Sequence, residues 1–398
     1  MTGALGRCVG DAGRFLAEHW TRAPLHRPAT EPGAFADLLG LDDVDRIVSS
    51  SLPRTPTVRL VRDGRPLDAA RYTRTTTLGG RPVPGVADAG LVWREFEGGA
   101  TIVLQALHRW WPALAAFCRD LELELTHPVQ ANAYVTPPAA RGLAVHHDTH
   151  DVFVLQVAGA KRWSVHPPVV ELPLRSQPWK AALGPVAEPV LSAELGAGAS
   201  LYVPRGFPHS ARAQDGVSVH VTVGVLAWTG DDVARELVRR AAGHLPLRRP
   251  LPVGFAGDED ALTASVAAAV AELRDWLGSV DPGDVARTMV RRFWSTRPAV
   301  LAGHLQQLCA VDGLDDGAVV CRRPAAVCRV APAGDRLEVL LADRVLRMPL
   351  GLEPAVRRLA SGERVRVGGL ERWLDARSRL VLVRRLVREG LLEVVARA

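Results

Sequence analysis

The chain has 398 residues, a length that suits two or three domains better than a single core, and 47% hydrophobic with 23% charged residues is ordinary for a globular protein. No apolar run approaches the roughly 20 residues of a membrane-spanning helix, and the N-terminus has no basic region leading into an apolar core, so a cytoplasmic protein without membrane attachment is expected. The five cysteines, Cys8, Cys118, Cys309, Cys321 and Cys328, are odd in number and never spaced as CxxC, which argues against a disulfide framework and a zinc ribbon. The formal charge of +6 suits a nucleoprotein partner without requiring one. Of 49 basic residues only Lys161 and Lys180 are lysines, so a lysine in this chain is a conspicuous choice.

In chain order, "FLAEHWTRAPLHR" (15–27) reads as a short helix ending before Pro24, and "EPGAFADLLGLDDVDRIVSSS" as capped helical turns. The segment "PTVRLVRDGRPLDAARYTR" has the alternation and turn of a strand and its return, and "TIVLQALHRWWPALAAFCRDL" carries apolar residues at helical spacing. Between residues 128 and 226 the period falls to two, in short segments separated by Gly and Pro turns, which predicts a β-sandwich or jelly roll. After Trp228 the pattern is helical: Leu262, Val266, Val270, Leu273 and Leu277 share one face, with Val285, Met289 and Phe293 continuing it, a plausible dimerisation element. From about 306 a hairpin-like "RLEVLLADRVLRMPL", helical segments and a closing strand resemble a winged helix, whose last helix carries Arg377, Arg379, Arg384, Arg385 and Arg388. For those arginines a solvated face is the leading reading and nucleic-acid binding the secondary one. The expected class is α+β, with domains at 1–229, 230–305 and 306–398.

The stretch "AVHHDTHDVFVLQVAGAKRW" concentrates the chemistry. Read as the start of a strand, it sends His146 and Asp148 from one face and turns His147 away, so His147 and His150 are read as solvated or supporting residues and Asp151 as ordering the loop. A divalent metal needs a third ligand, and "LGAGASLYVPRGFPHSA" offers His209 after a Pro-Arg-Gly turn, with Arg205 fixing that turn. Two histidines and one carboxylate form the facial triad of non-haem Fe(II) oxygenases. A lone His-x-Asp more often marks a solvated strand end, and Lys161 is what shifts the balance. Lys161, Trp163 and Val165 share a strand face, which points an ammonium toward the same interior to pair with a dicarboxylate. The "HRWWP" segment (108–112) reads first as core and only second as a substrate wall.

With these motifs the chain resembles the JmjC-type cupin ribosomal oxygenases, a family of 2-oxoglutarate-dependent protein hydroxylases. The resemblance is carried by "FLAEHWTRAPLHR", "NAYVTPPAARGLAVHHDTHDVFVLQVAGAKRW", "LYVPRGFPHSA" and "RRPLPVGFAGD". It implies a double-stranded β-helix followed by a helical dimerisation domain and a winged-helix-like domain. It also implies His146, Asp148 and His209 as iron ligands and Lys161 as the residue that holds the far carboxylate of 2-oxoglutarate. Asn132 and Tyr134 match positions lining the cosubstrate pocket, and His220 and Thr222 alternate on the last barrel strand toward the cosubstrate, with a core histidine as the alternative for His220. Gly224 departs from the small hydroxyl residue of some relatives.

The activity so implied is Fe(II)-, 2-oxoglutarate- and O₂-dependent hydroxylation of a histidyl or arginyl side chain of a ribosomal or other protein, by a homodimer. Demethylation begins with the same hydroxylation. The rival readings are an oxygenase acting on a peptide or small natural product, a winged-helix DNA-binding regulator, and a metal-binding cupin without oxygenase chemistry, which Lys161 argues against.

Overall fold

Strands that are apolar on both faces need cover on both sides, and the central strands of this chain have it. The computed structural model describes residues 3–31, 33–140, 142–180 and 184–396, and the chain divides into two compact units, Met1–Ala227 and Trp228–Ala398.

The first unit runs α1 (Ala4–Val9), α2 (Ala12–Glu18), β1 (Leu25–Arg27), α3 (Leu41–Ser50), β2 (Val58–Arg62), β3 (Arg65–Pro66), β4 (Thr73–Leu78), β5 (Arg81–Ala87), α4 (Ala89–Glu97), β6 (Thr101–Leu104) and α5 (Pro112–Leu125). Then follow β7 (Val129–Thr136), β8 (Asp151–Ala158), β9 (Lys161–Val165), β10 (Leu191–Leu195), β11 (Ser200–Val203), β12 (His209–Ala213) and β13 (Ser218–Val225). One large sheet has the order β1-β11-β8-β13-β7-β6-β2-β3 and a small one the order β10-β9-β12. Alternation divides the large sheet's side chains between two environments. Ala131, Ala133, Phe153, Leu155, Val221 and Val223 join a core with α1, α3 and α5, while Val152, Val154 and Leu201 face the small sheet and pack with Trp163, Val165 and Leu195. The result is the expected jelly roll, its interior between the two sheets.

Two segments differ from the sequence reading. In 15–27 only the start is helical: Asp11 caps α2 through the Arg14 amide, Thr21 turns at positive φ with its amide on the Tyr202 hydroxyl, and residues 25–27 pair with β11. The helix cannot continue toward Pro24. Likewise "TIVL" is β6, paired with β2 and β7 and fully buried. A short apolar run has no period to distinguish helix from strand, and here it fills a gap in the sheet.

The second unit comprises α6 (Gly230–Ala241), α7 (Glu259–Ser279), α8 (Pro282–Ser295), α9 (His304–Ala310), β14 (Val319–Arg322), β15 (Cys328–Ala333), β16 (Arg336–Leu341), β17 (Arg344–Pro349), α10 (Glu353–Ala360), β18 (Val365–Arg366), α11 (Ala376–Arg388) and β19 (Leu392–Ala396). Its strands form two three-stranded sheets, β18-β14-β19 and β15-β16-β17. Val383, Leu386 and Val387 of α11 and Val356 and Leu359 of α10 share one core with Val320 and Leu337. The helix α7 buries none of its residues, and Val266 and Val270 are 51% and 61% exposed, whereas Val285 and Phe293 of α8 are buried. All five cysteines are free. Among the described residues no helix is long and apolar enough to cross a membrane.

Candidate active site

Three potential ligands meet at the mouth of the barrel. His146 and Asp148 lie in the turn before β8, and His209 opens β12; His146 and His209 pair as an isolated antiparallel bridge, their amides donating to each other's carbonyls at 3.3 and 2.8 Å. The ligand atoms of His146, Asp148 and His209 all lie within 4.8 Å of one another, the one such metal-competent cluster among the described residues. His209 Nε2 is 3.6 Å from Asp148 Oδ2. Each imidazole is oriented by its other nitrogen: His146 Nδ1 donates to the Ala144 carbonyl at 2.7 Å and His209 Nδ1 to that of Phe207 at 3.0 Å. Both Nε2 lone pairs are thereby left for a ligand role.

The Pro-Arg-Gly turn joins the two ligand segments. Gly206 donates its amide to the Asp148 carbonyl at 3.0 Å with φ of +87°, and a Cβ there would fall 2.3 Å from the Val170 carbonyl oxygen. Only glycine fits. Asp151 accepts the Tyr202 hydroxyl at 2.8 Å and the Arg205 amide at 3.3 Å, which is the loop-ordering role read from the sequence.

Where a strand through His146 and Asp148 was expected, a bridged turn stands, because β8 begins only at Asp151. The alternation survives and His147 is turned away, but not into solvent. It is 3% exposed, its ring stands edge-on to Trp179 at 5.2 Å, and its Nε2 donates to the Gln177 carbonyl at 3.3 Å. Residues 177–179, in the segment after β9, fold back over it.

Electrostatics keep the triad in ligand-ready forms. Burial raises the Asp148 pKa, but the imidazoles of His150, His209, His146 and His147 outweigh it and hold the carboxyl below its usual range. Burial, and then His146, depress His209 to about 4 in spite of Asp148. A carboxylate and a neutral imidazole are what a metal requires at neutral pH.

Behind the triad lies a cavity of about 510 Å³. Asn132, Tyr134, Lys161, His220 and Thr222 all line it, together with Arg59, His150, Trp163 and Trp179. Lys161 is 1% exposed, donating to Thr136 Oγ1 at 2.8 Å and to His220 Nδ1 at 3.3 Å. Neither partner is a carboxylate, and burial pushes the ammonium down to about 7. His220 is held neutral by burial and by Lys161, and stacks on Tyr134 at 4.9 Å. Thr222 donates to the Asn132 carbonyl at 3.5 Å, while Asn132 Oδ1 accepts the Ala106 amide at 2.9 Å.

Arg59 is a cavity residue that the sequence reading missed. Register explains it: Arg59 pairs with Val103, Val103 with Tyr134, and Tyr134 with His220, a single cross-strand row. The alternation of "VRLVR" placed Arg59 on one face of β2, but only the sheet order shows which interior that face meets. Trp179 sits in a connection without periodicity and gave no signal. The "HRWWP" segment follows the core reading, with Trp111 Nε1 donating to the Leu38 carbonyl at 2.8 Å and His108 Nδ1 accepting the Ala131 amide at 3.1 Å.

Residues 110–233 match the model of the JmjC domain. The chain is 34% identical over 212 residues to ribosomal oxygenase 1 of Gallus gallus, covering 52% of this chain and 34% of that protein. It is 38% identical over 210 residues to ribosomal oxygenase 1 of Homo sapiens (49% and 32%). It is 30% identical over 213 residues to the bifunctional lysine-specific demethylase and histidyl-hydroxylase NO66 of Drosophila persimilis (52% and 29%). The chain thus spans about a third of the length of these relatives. Among solved structures, Escherichia coli YcfD aligns with a TM-score of 0.58 at 18% identity, over 96% of this chain and 98% of that one. The same protein, as a ribosomal oxygenase in complex with cobalt and 2-oxoglutarate, aligns with a TM-score of 0.54 at 19% identity and the same coverages. At that identity the likeness is one of fold.

Proposed function

From the premise that the chain belongs to the JmjC-type cupin family of the ribosomal oxygenases, we propose that it is an Fe(II)- and 2-oxoglutarate-dependent oxygenase that hydroxylates a histidyl side chain of a ribosomal protein. The observation that carries this reading is the pairing, in one cavity, of a two-histidine, one-carboxylate cluster with a buried lysine that has no carboxylate partner. The residues fit the implied groups. His146, Asp148 and His209 would hold the metal, their donor set being that of a non-haem iron centre with open positions. Lys161 has three donors and spends two on neutral acceptors, which leaves one for a ligand oxygen. A dicarboxylate there restores the counter-charge that burial otherwise denies the ammonium.

Bound iron supplies the oxidation, in which O₂ and 2-oxoglutarate yield succinate, CO₂ and a hydroxylated C–H bond. This chain's residues do the rest. Lys161 anchors the far carboxylate, Thr136 and His220 aim Lys161, Tyr134 stacks on His220 and so fixes its ring, and Asn132 and Thr222 brace the adjoining wall. Trp163, 5% exposed and 6.0 Å from the His209 ring, helps close the interior to water.

Histidine is favoured over arginine as the target by the charge of the cavity. With the metal on Asp148 and the dicarboxylate on Lys161, the charge left over among the described lining residues is the guanidinium of Arg59. A guanidinium would enter against like charge, whereas a neutral imidazole would not. Incubating the purified protein with Fe(II), 2-oxoglutarate and ribosomal proteins, followed by peptide mass mapping, tests this. One added oxygen on a histidine is expected; one on arginine, or on no ribosomal protein, refutes the substrate assignment.

We further propose the division 230–305 and 306–398 within the second unit, a winged-helix-like character for the latter, and homodimerisation through α7. The uncovered Val266, Val270 and Leu277 support the last point. A cytoplasmic site of action goes with a ribosomal substrate.

A further inference from the structure

One part of the cavity wall comes from β13. Along β13, His220, Thr222 and Gly224 alternate onto the same face, and His220 and Thr222 line the cavity. At the third position there is no side chain. A Cβ built on Gly224 would lie 2.4 Å from Cδ2 and 2.6 Å from Nε2 of His150, closer than any real contact. The backbone of Gly224 is in an ordinary strand, paired with Gln130 and Val152, so it is glycine for room and not for conformation. The imidazole that takes the room arrives from the ligand turn, two residues after Asp148, and itself lines the cavity.

We propose that His150, seated on Gly224, contacts the substrate and selects the side chain to be hydroxylated. The assignment rests on the oxygenase reading above and names a determinant of its specificity. The His150 ring is half-buried and no described residue hydrogen-bonds to it, so its nitrogens remain available within the cavity. An imidazole ring can present both an N–H donor and a lone-pair acceptor, groups that another imidazole can answer. An aliphatic side chain leaves both unanswered in a desolvated site, which costs affinity. Trp179 and Arg59 complete the surrounding wall, with His147 as the positioning residue behind Trp179.

The test uses full-length protein loaded with Mn(II) and 2-oxoglutarate and two synthetic peptide mixtures, randomised except for a central histidine or a central alanine. Binding is measured by competition. Wild type is expected to prefer the histidine mixture by about tenfold, the value of roughly one hydrogen bond. His150→Ala and Gly224→Ala should each bring the ratio to within about threefold of unity, and in the double variant Gly224→Ala should add nothing, because its effect acts through the ring. The Gly224→Ala arm leaves the ligand turn chemically intact, so a defect confined to His150→Ala overturns the assignment. So does a preference retained in both single variants, or a wild type that binds Mn(II) and 2-oxoglutarate but does not discriminate between the mixtures. A wild type that binds neither Mn(II) nor 2-oxoglutarate overturns the oxygenase reading itself.

Discussion

The cations of the barrel and those of α11 stand in opposite circumstances. Lys161 is buried, faces two neutral acceptors and is held near pH 7 by desolvation. The arginines of α11 are mostly neutralised within their own unit: Arg379 pairs with Asp316, Arg385 with Glu389 at 2.6 Å and Arg388 with Asp312 at 2.6 Å, while Arg384 donates to the Leu314 carbonyl at 2.8 Å. A fold has no structural use for an uncompensated charge in its interior, since the penalty far exceeds what packing returns. Such a charge makes a candidate for ligand binding, whereas a paired surface charge is accounted for by solubility and local bracing. Charge counts along the chain would have ranked these regions the other way.

The contrast can be broken most severely at the metal end. Asp148→Ala should weaken Mn(II) or Fe(II) binding by at least about a hundredfold, since loss of a ligand exceeds the ~10–100-fold effect of losing a ligand's supporting partner. Its circular dichroism should stay that of the wild type. Next in size, Lys161→Ala should raise the 2-oxoglutarate Kd by about 10- to 100-fold, the range for a hydrogen bond to a charged group, without comparable loss of metal affinity. An unchanged Kd by calorimetry would mean that the buried ammonium serves the fold alone.

A pH series sharpens the same point. Because the free Lys161 ammonium titrates near 7 and the dicarboxylate binds its charged form, cosubstrate affinity should be flat well below pH 7. It should fall as pH rises above 7, approaching about tenfold per unit. Lys161→Arg, always charged, should flatten the profile. The smallest effect is expected in the second unit, where Arg388→Ala should leave metal and cosubstrate affinity unchanged and the unfolding midpoint within experimental scatter. A loss of cosubstrate affinity there would erase the distinction between the two regions.

Much of the barrel and most of the site could be read from the residues. The period of two between 128 and 226, the His-x-Asp spacing, the Pro-Arg-Gly turn before His209 and the rarity of lysine are all local signals, and the structure brings these residues together. What the sequence concealed depends on register and on long connections. Arg59 reaches the cavity through a row crossing four strands, and His147 is buried only because residues 177–179 return over it. His150 over Gly224 is a contact between a turn and a strand some seventy residues later, and no spacing rule foretells it. The strand β6 was hidden for a different reason: four consecutive apolar residues carry no period at all.

The most direct test of the proposed chemistry is anaerobic loading of the purified protein with Fe(II) and 2-oxoglutarate, followed by succinate measurement on admitting O₂, with His209→Ala and Lys161→Ala beside wild type. The expected result is succinate from wild type and little from either variant. Succinate formed equally by all three, or iron bound without any 2-oxoglutarate, would contradict the assignment of the triad and Lys161 to one oxygenase site.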